Sequence, residues 1–295
     1  MTAVELVDQN KGMVSIGRLC ELVGITSSGY YKAKRRGRSQ RQRTDESLGV
    51  QVRALFRHYK GRYGSPRLAR ALSTHENRVG RHRVARLMRQ NHLKARGKRR
   101  FFKTTQVDHR AQYCPNLVAR DFTAEQPNQL WVGDLTYIPT LEGWLFLAVL
   151  LDVFSRKVVG WATDTTLEAN IAVQALMQAI GSRKPPRGLV HHTDRGGQYT
   201  AAGYRKALAE AGIIQSMSNP GNCLDNAMAE SFFATLKTEL GCRVFASRAD
   251  AHRAIANYID GFYNPIRLHS SLGYESPIAF ERKNLLTQNH KPLSV

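Results

Sequence analysis

The feature that most constrains the fold of this chain is the order of its apolar segments between residues 130 and 240. Three β-rich segments come first, joined by tight turns, and they predict a three-stranded meander. A helix pattern follows, and strand and helix patterns then alternate. In chain order the segments are "LWVGDLTYIP", "WLFLAVLLDVFS", "KVVGWATDT", "LEANIAVQALMQAIG", "RGLVHHTD", "AAGYRKALAEAG", "IIQSMS" and "LDNAMAESFFATLKTEL". We therefore expect a mixed sheet with helices on its faces.

Three carboxylates occupy positions that such a sheet would bring together. Asp134 lies within the first strand, and Asp194 ends the strand expected to pair beside it. Glu230 lies on the last helix, which would pass over those strand ends. Hard oxygen ligands at neighbouring strand ends are what a Mg²⁺-dependent phosphodiesterase requires, so these three residues are the candidate metal ligands and catalytic residues.

The helix that carries Glu230 has two faces with different characters. Its apolar stripe should face the core; the stripe consists of Met228, Phe232, Phe233, Leu236 and Leu240. Glu230 and Lys237 are seven residues apart and point the same way, as helical periodicity requires. We expect Glu230 to bind metal and Lys237 to contact a DNA phosphate.

Positive charge is concentrated in the first third of the chain. Residues 1–110 contain 27 Lys and Arg against 7 Asp and Glu, whereas residues 111–295 contain 17 against 16. This asymmetry indicates a module that meets a polyanion. Nucleic acid is the favoured partner over an acidic membrane surface, because the basic region lacks an amphipathic anchor with aromatic residues on one face.

The basic third is predicted to contain two small helical modules and an arm. The spacing in "VSIGRLCELVGITSSGYYKAKRR" is that of a helix-turn-helix, with an ordinary helical hairpin as the alternative. The helix pattern of residues 80–91 is strongly basic, which suits either a DNA groove or simple solvation. The arm runs through "KARGKRRFFKTT", and the neutral segment of residues 116–129 is expected to be a linker. The DNA-contacting candidates here are Arg81, Arg83, Arg86, Arg89, Lys98, Arg99 and Arg100.

These patterns predict a chain of five parts. They are a helix-turn-helix module (1–44), a second helical DNA-binding module (45–93), a basic arm and linker (94–120), a catalytic core (121–241) and a C-terminal helical extension (242–295). The N-terminus has no signal-peptide pattern, and no apolar run reaches 18 residues. A cytosolic protein without membrane contact is expected.

Other polar residues near the candidate site are assigned structural roles. Asp152 is expected to pair with Ser155 or Arg156. His191 and His192 alternate on a strand, and packing is the favoured role for them. The pair Asp225–Asn226 is expected to cap the helix that follows.

The spacing of the carboxylates introduces a family resemblance. Thirty-five residues separate Asp194 from Glu230, and this pattern resembles that of DDE transposases and retroviral integrases. Longer stretches resemble the second-reading-frame product of family three of the bacterial insertion sequences. They include "WVGDLTYIPT", "HHTDRGGQYT", "NPGNCLDNAMAESFFATLKTE", "YNPIRLHSSLGYESP" and "RVARLMRQNHLKA". The similarity covers nearly the whole chain. It agrees with the ribonuclease-H-like arrangement that the βββαβαβα order describes.

The resemblance implies a DNA transposase that cleaves and joins strands by phosphodiester hydrolysis and transesterification. Asp134, Asp194 and Glu230 would bind two Mg²⁺ ions, with Mn²⁺ as a substitute. Strand transfer between the two ends of one element would give a circular intermediate. The implied partners are double-stranded DNA at element ends and target, further copies of this chain, and an upstream-frame protein or a frameshift fusion with it, in the bacterial cytosol.

Three other functions compete with this interpretation. A tyrosine or serine recombinase would need a covalent nucleophile among clustered arginines, whereas the arginines here lie outside the predicted catalytic fold. A non-catalytic DNA-binding regulator would leave three well-placed carboxylates unexplained. A ribonuclease-H-like nuclease would not require the basic N-terminal modules.

Overall fold

The computed structural model describes residues 2–35, 39–97, 113–219, 223–242 and 244–289. The chain divides into two compact units, Met1–Ala95 and Arg96–Val295. Among the described residues, no helix has both the length and the apolar character needed to cross a membrane.

The first unit begins with three short helices, α1 (Ala3–Asn10), α2 (Ile16–Leu22) and α3 (Ser27–Arg35). The turn between α2 and α3 passes through Gly24, whose φ of +72° favours a residue without a Cβ. The Thr26 hydroxyl accepts a hydrogen bond from the Gly29 amide and so caps α3. These helices pack around a small core made of Val7, Leu19, Cys20 and Tyr30. The predicted helix-turn-helix geometry is therefore present, with an additional helix before it.

Three more helices complete the first unit: α4 (Gln40–His58), α5 (Ser65–Leu72) and α6 (Arg81–Gln90). Helix α4 begins at Gln40 because Ser39 and Gln42 form a capping box there. It therefore runs across the boundary predicted between residues 44 and 45. Apolar side chains buried among these helices include Val52, Leu68, Val84, Leu87 and Met88.

The second unit is built on one five-stranded mixed sheet. Its strands are β1 (Leu130–Thr140), β2 (Gly143–Asp152), β3 (Val158–Asp164), β4 (Val190–Thr193) and β5 (Ile214–Met217). They are arranged in the order β3-β2-β1-β4-β5. The first three form the predicted antiparallel meander, and β4 and β5 add parallel to β1. This is the predicted ribonuclease-H-like α/β fold, preceded by small all-α modules.

The second unit also contains helices, and those at residues 169–183, 202–211 and 227–240 are the three that the sequence predicted among the strands. In chain order, the α-helices are α7 (Ala169–Arg183), α8 (Gly197–Thr200), α9 (Ala202–Ala211), α10 (Ala227–Leu240), α11 (Arg248–Tyr258) and α12 (Pro277–Asn289). The main core joins α7 and α9 to the sheet through residues such as Trp131, Leu150, Ile171, Leu176 and Tyr204. Close packing explains one glycine in particular: a Cβ on Gly160 of β3 would lie 2.2 Å from the Ala175 carbonyl oxygen of α7.

Two predicted segment boundaries differ from the structure. Residues 116–129, expected to be a linker, pack on the second unit: Val118 is buried, and the Leu117 amide donates to the Ser216 hydroxyl. The segment after residue 241 also belongs to this unit. In it, the Asn264 side chain exchanges two hydrogen bonds with the Val158 backbone at the start of β3. Buried polar pairing, which local patterns do not reveal, joins both segments to the core.

Candidate active site

Asp134 lies in the middle of β1, opposite Val149 of β2. Strand β4 pairs with β1 only over Leu130–Val132, so the Asp134 carboxylate lies just beyond the parallel pairing. One of its oxygens accepts a hydrogen bond of 2.8 Å from the Leu135 amide. The side chain is half-buried. It is thus held at the sheet position that the strand pattern predicted.

Asp194 follows β4 directly, at the end of the neighbouring strand. The Gly196 amide donates to its Oδ1 at 3.0 Å and fixes the carboxylate. A Cβ at Gly196 would lie 3.1 Å from that same oxygen, whereas a Cβ at Gly197 would meet nothing within 4 Å. Of the two glycines in "HHTDRGGQYT", only Gly196 is therefore required by the space beside Asp194.

Glu230 lies in the first turn of α10 and completes the predicted set. Burial raises the pKa of Asp194, and the negative charge of Glu230 raises it further against the opposing Gly196 hydrogen bond. Burial also raises the pKa of Tyr199, and the charges of Asp134 and Asp194 add to that effect. Asp194 therefore lies within electrostatic reach of Glu230, and Tyr199 lies within reach of both Asp134 and Asp194.

Lys237 approaches the same place from α10. Burial lowers the pKa of its ammonium, and the Asp134 carboxylate opposes that shift. The ammonium lies 4.8 Å from the centroid of the Tyr137 ring. Lys237 therefore lies within electrostatic reach of Asp134, and its contact with DNA stays a prediction.

The chemistry of this donor set fits a hard divalent cation. All three side chains offer carboxylate oxygens, and their mutual repulsion is what a cation would relieve. Asn226, which is 4% exposed, also offers an amide Oδ1 that has no hydrogen-bond partner in the described structure. However, no three His, Cys, Asp or Glu side chains within the described ranges converge closely enough to hold one ion as they stand.

The pair Asp225–Asn226 was expected to cap α10, and Asn226 does occupy the N-cap position. Its side chain, however, makes no capping bond and instead donates to the Gly133 carbonyl oxygen. Asp225 accepts from Arg120 and from Asn116, at 3.0 and 3.1 Å. These hydrogen bonds join the start of α10 to β1 and to the segment before the sheet. They therefore fix the position of the helical turn that carries Glu230.

The two histidines of β4 have the packing role that was favoured for them, because both are buried. His191 bonds to the Tyr204 hydroxyl at 2.6 Å, and His192 bonds to the Ser216 hydroxyl at 2.8 Å. Burial lowers the pKa of His191 to about 3, so this imidazole is neutral at physiological pH. Neither histidine is needed as a metal ligand.

Asp152 has the expected structural role. Its buried carboxylate accepts hydrogen bonds from the Ser155 amide and from the Asn128 amide. Burial raises its pKa despite these bonds. The expected pairing with Ser155 is confirmed, and Asp152 is the last residue of β2, opposite Trp131 of β1.

The predicted DNA-contacting arginines of α6 fall into two groups. Arg81 and Arg89 are exposed. Arg83 and Arg86 are half-buried, and each donates to a different oxygen of Asp45 at 2.6 Å. Arg83 and Arg86 therefore join α6 to α4, and their contact with DNA stays a prediction. The remaining predictions, Lys98, Arg99 and Arg100, lie outside the described residues.

Sequence reasoning missed a buried ion pair behind the site. Glu239, in the last turn of α10, accepts from Arg267 at 2.7 Å, and both side chains are 6% exposed. The Tyr258 hydroxyl donates to the other Glu239 oxygen at 2.9 Å. The signal was available, because a charged residue at position 239 breaks the apolar end of α10. Its partner is 28 residues away and could not be identified from periodicity.

Comparison with known families agrees with this geometry. Residues 124–223 and 211–277 match two patterns that are each described as an integrase core domain. Residues 42–101 match a pattern described as an HTH-like domain. That match falls on α4–α6, whereas the sequence predicted the helix-turn-helix within residues 1–44.

Relatives of known name align along almost their whole length. The chain is 41% identical over 266 residues to the insertion element IS600 uncharacterized 31 kDa protein of Shigella sonnei, which covers 90% of this chain and 98% of that protein. It is 42% identical over 247 residues to the transposase for insertion sequence element IS904 of Lactococcus lactis, covering 83% and 98%. It is 40% identical over 282 residues to the transposase InsF for insertion sequence IS3A of Escherichia coli, covering 95% and 98%.

Solved structures with a similar chain course include a simian T-cell lymphotropic virus intasome in complex with a PP2A regulatory subunit. It has a TM-score of 0.46 and 17% identity, and the alignment covers 83% of this chain and 76% of that one. The catalytic core domain of HTLV-2 integrase, in complex with magnesium, has a TM-score of 0.42 and 18% identity over 54% of this chain and 99% of that one.

The alignments with relatives extend through both units, and the integrase core pattern spans the strands that carry Asp134 and Asp194. The chain belongs to the transposases of IS3-type insertion sequences, which are polynucleotidyl transferases with an integrase core and an HTH-like region.

Proposed function

We propose that this transposase cleaves and joins DNA strands with Mg²⁺, using Asp134, Asp194 and Glu230 as ligands for two metal ions. The observation that carries the proposal is the placement of the three carboxylates: Asp134 lies on β1, Asp194 directly follows the adjacent strand β4, and Glu230 lies in the first turn of α10. The negative charge of Glu230 also raises the pKa of Asp194, and like charges held close together are costly unless a cation joins them.

The proposed chemistry is in-line displacement at phosphorus in two steps. Water first attacks the phosphorus at an element end, and the bond from phosphorus to the 3′ oxygen breaks to free a 3′-hydroxyl. That hydroxyl then attacks a phosphorus of a second strand, where a new ester bond forms as another 3′ oxygen leaves. When bound, Mg²⁺ would activate the attacking hydroxyl and neutralise charge on the leaving oxygen.

Each residue of the site has a role in this scheme. Asp134 and Asp194 present oxygens from two adjacent strands, and the Gly196 amide keeps Asp194 oriented. Glu230 approaches from α10 and supplies the third carboxylate. Lys237, beside Asp134, aligns the DNA phosphate through its ammonium. Fixed geometry of this kind is what a phosphoryl transfer requires of the protein.

We further propose that the basic first unit binds the double-stranded ends of the element, and that the transposase acts on DNA as a homo-oligomer. The strong excess of Lys and Arg before residue 111 supports phosphate binding. The HTH-like match over residues 42–101 supports α4–α6 and the arm after them as the part of the chain that recognises the DNA ends.

The test of the catalytic proposal replaces one carboxylate at a time. We expect Asp134→Asn, Asp194→Asn and Glu230→Gln each to abolish cleavage and joining of labelled element ends in Mg²⁺, because each removes an anionic ligand. Binding to the same DNA should persist, since the basic unit is unchanged. Cleavage is measured on denaturing gels, and binding by gel shift.

Matched controls carry the same chemical change elsewhere. Asp164→Asn changes the last residue of β3, and Glu210→Gln changes an exposed residue of α9. Both should cleave at the wild-type rate. Wild-type strand transfer by any one of the three site variants would remove that residue from the metal site.

A further inference from the structure

An exposed aromatic surface lies at the turn between β1 and β2. Trp144, the second residue of β2, is 50% exposed, although tryptophan is a residue that folded proteins mostly bury. Its ring meets the ring of Tyr137 edge to face, with centroids 4.8 Å apart. We call Trp144 and Tyr137 the aromatic platform. The other two tryptophans are covered: Trp131 is fully buried, and Trp161 packs against His252.

Two cations flank the aromatic platform. The Lys237 ammonium lies 4.8 Å from the centroid of Tyr137. The Arg248 Nε donates to the Trp144 carbonyl oxygen at 3.2 Å. Carboxylates are also near: Glu142 accepts from the Arg248 amide at 2.9 Å, and Asp134 lies within electrostatic reach of Lys237. An exposed ring between two cations is complementary to a nucleic acid, which offers both a flat base and phosphates.

The platform lies at a definite distance from the candidate metal site. Tyr137 follows Asp134 by three residues on the same strand, which corresponds to about 10 Å at the rise of a β-strand. Each strand of stacked DNA advances about 3.4 Å per nucleotide. Side chains three residues apart on a strand point to opposite faces, so the link between the two places is Lys237, whose ammonium lies near both Asp134 and the Tyr137 ring. A phosphate bound at Asp134 and reached by Lys237 would then lie about three nucleotides from the platform.

We propose that the aromatic platform binds an unpaired nucleobase of the element end, about three nucleotides from the scissile phosphate. This rests on the proposed function, because the scissile phosphate must lie at Asp134. Inside a duplex both faces of a base are covered by its neighbours, so the exposed Trp144 ring can stack only on a base that has left the helix. Lys237 and Arg248 would contact the phosphates on either side of it.

The experiment compares two DNA ends of identical sequence, using the full-length protein. One is fully paired, and the other has mismatches over the four terminal nucleotides. We expect wild-type protein to bind the mismatched end more tightly. Trp144→Ala should lose that preference by roughly 5- to 150-fold, the effect of one base–aromatic stack, while Trp144→Phe keeps most of it. Because Trp144 is exposed, thermal melting of both variants should match the wild type.

The matched control is Leu141→Ala, which removes an 80% exposed apolar side chain from the same turn. It should keep the full preference for the mismatched end. A 2-aminopurine base moved one position at a time along the strand should be quenched most strongly near the third nucleotide, and Trp144→Ala should abolish that quenching.

Two outcomes would overturn the inference. Trp144→Ala could retain the preference for the mismatched end, in which case no base stacks there. Alternatively, it could change the oligomeric state in sedimentation while DNA binding is unaltered, which would make the platform a protein interface. The proposed metal site is tested separately: Asp134→Asn should lose cleavage but keep the preference, and cleavage by that variant would contradict the proposed function alone.

Discussion

The ion pairs of the two units differ in how far they are exposed to solvent. In the first unit, Lys34 bonds to Asp8 at 2.6 Å with both side chains more than a third exposed. In the second unit, Arg267 bonds to Glu239 at a similar distance with both side chains 6% exposed. The two ion pairs therefore have similar distances but different interaction energies, because water screens the first pair and not the second.

The difference has a functional meaning. Exposed cations in the first unit can exchange a solvated partner for a DNA phosphate at little cost. The buried pairs of the second unit cannot be exchanged without leaving a charge unpaired, so they hold helices in place. Arg183 shows the same use, since its guanidinium binds both Glu281 oxygens and joins α7 to α12. Neither use is confined to one unit, because Arg83 and Arg86 join α6 to α4 in the first unit, and Lys206 forms an exposed pair with Glu210 in the second.

The sharpest test of this contrast is the loss of Arg267. Arg267→Ala should destabilise the protein by about 3–5 kcal/mol, because the Glu239 carboxylate would be left buried without its counter-ion. In a domain of this size that corresponds to a fall in Tm of roughly 6–20 °C, measured by calorimetry. The matched control, Lys206→Ala, removes one partner of an exposed pair on α9 and should change stability by less than about 1 kcal/mol. Equal losses of stability in the two variants would contradict the difference in energy between the buried and the exposed ion pair.

A smaller effect is expected on DNA affinity when the exposed cations of the first unit are removed. Replacing both Arg81 and Arg89 with Gln should reduce the slope of log affinity against log salt by about 1.8, because each lost phosphate contact no longer releases counterions. The control replaces two exposed cations of the second unit, Lys206 and Arg253, and should leave the slope unchanged. An identical decrease in the slope for the two double variants would show that both units contact DNA. Fluorescence anisotropy over a salt series provides the slopes.

The smallest expected effect concerns Asp194 in metal-free protein. Its pKa is raised by burial and by Glu230, so the folded state favours the protonated form, and stability is lost as pH rises through that pKa. Asp194→Asn should therefore melt at a higher Tm than wild type at pH 7 without metal. The difference should shrink as the pH falls.

Adding Mg²⁺ provides the control for that measurement. It should raise the Tm of the wild type and have less effect on Asp194→Asn, because the variant lacks a ligand. Asp164→Asn, at the end of β3, should not raise Tm at any pH. A lower Tm for Asp194→Asn in metal-free buffer would show that this carboxylate stabilises the fold.

The local patterns predicted the sheet well because each strand and helix carries its own periodicity. The meander, the alternation after it and the position of Asp194 at a strand end follow from 10-residue windows of sequence. The predictions for residues 116–129 and for the segment after 241 differed from the structure, since their attachment depends on partners far away in the chain. Asn264 bonds to Val158 across 106 residues, and no local pattern reports such a bond.

By itself, the sequence determined the fold class, the identity of the three carboxylates and the basic character of the first third. Those properties are written in periodicity, residue chemistry and composition, which are local. Only the tertiary structure decided which charges are available and which are structural. In the tertiary structure Arg83 and Arg86 form ion pairs with Asp45, and the Asn226 amide donates to the Gly133 carbonyl oxygen. Trp144 is exposed to solvent and contacts the Tyr137 ring. Burial and pairing are properties of the assembled chain, because they depend on what lies opposite each side chain in space.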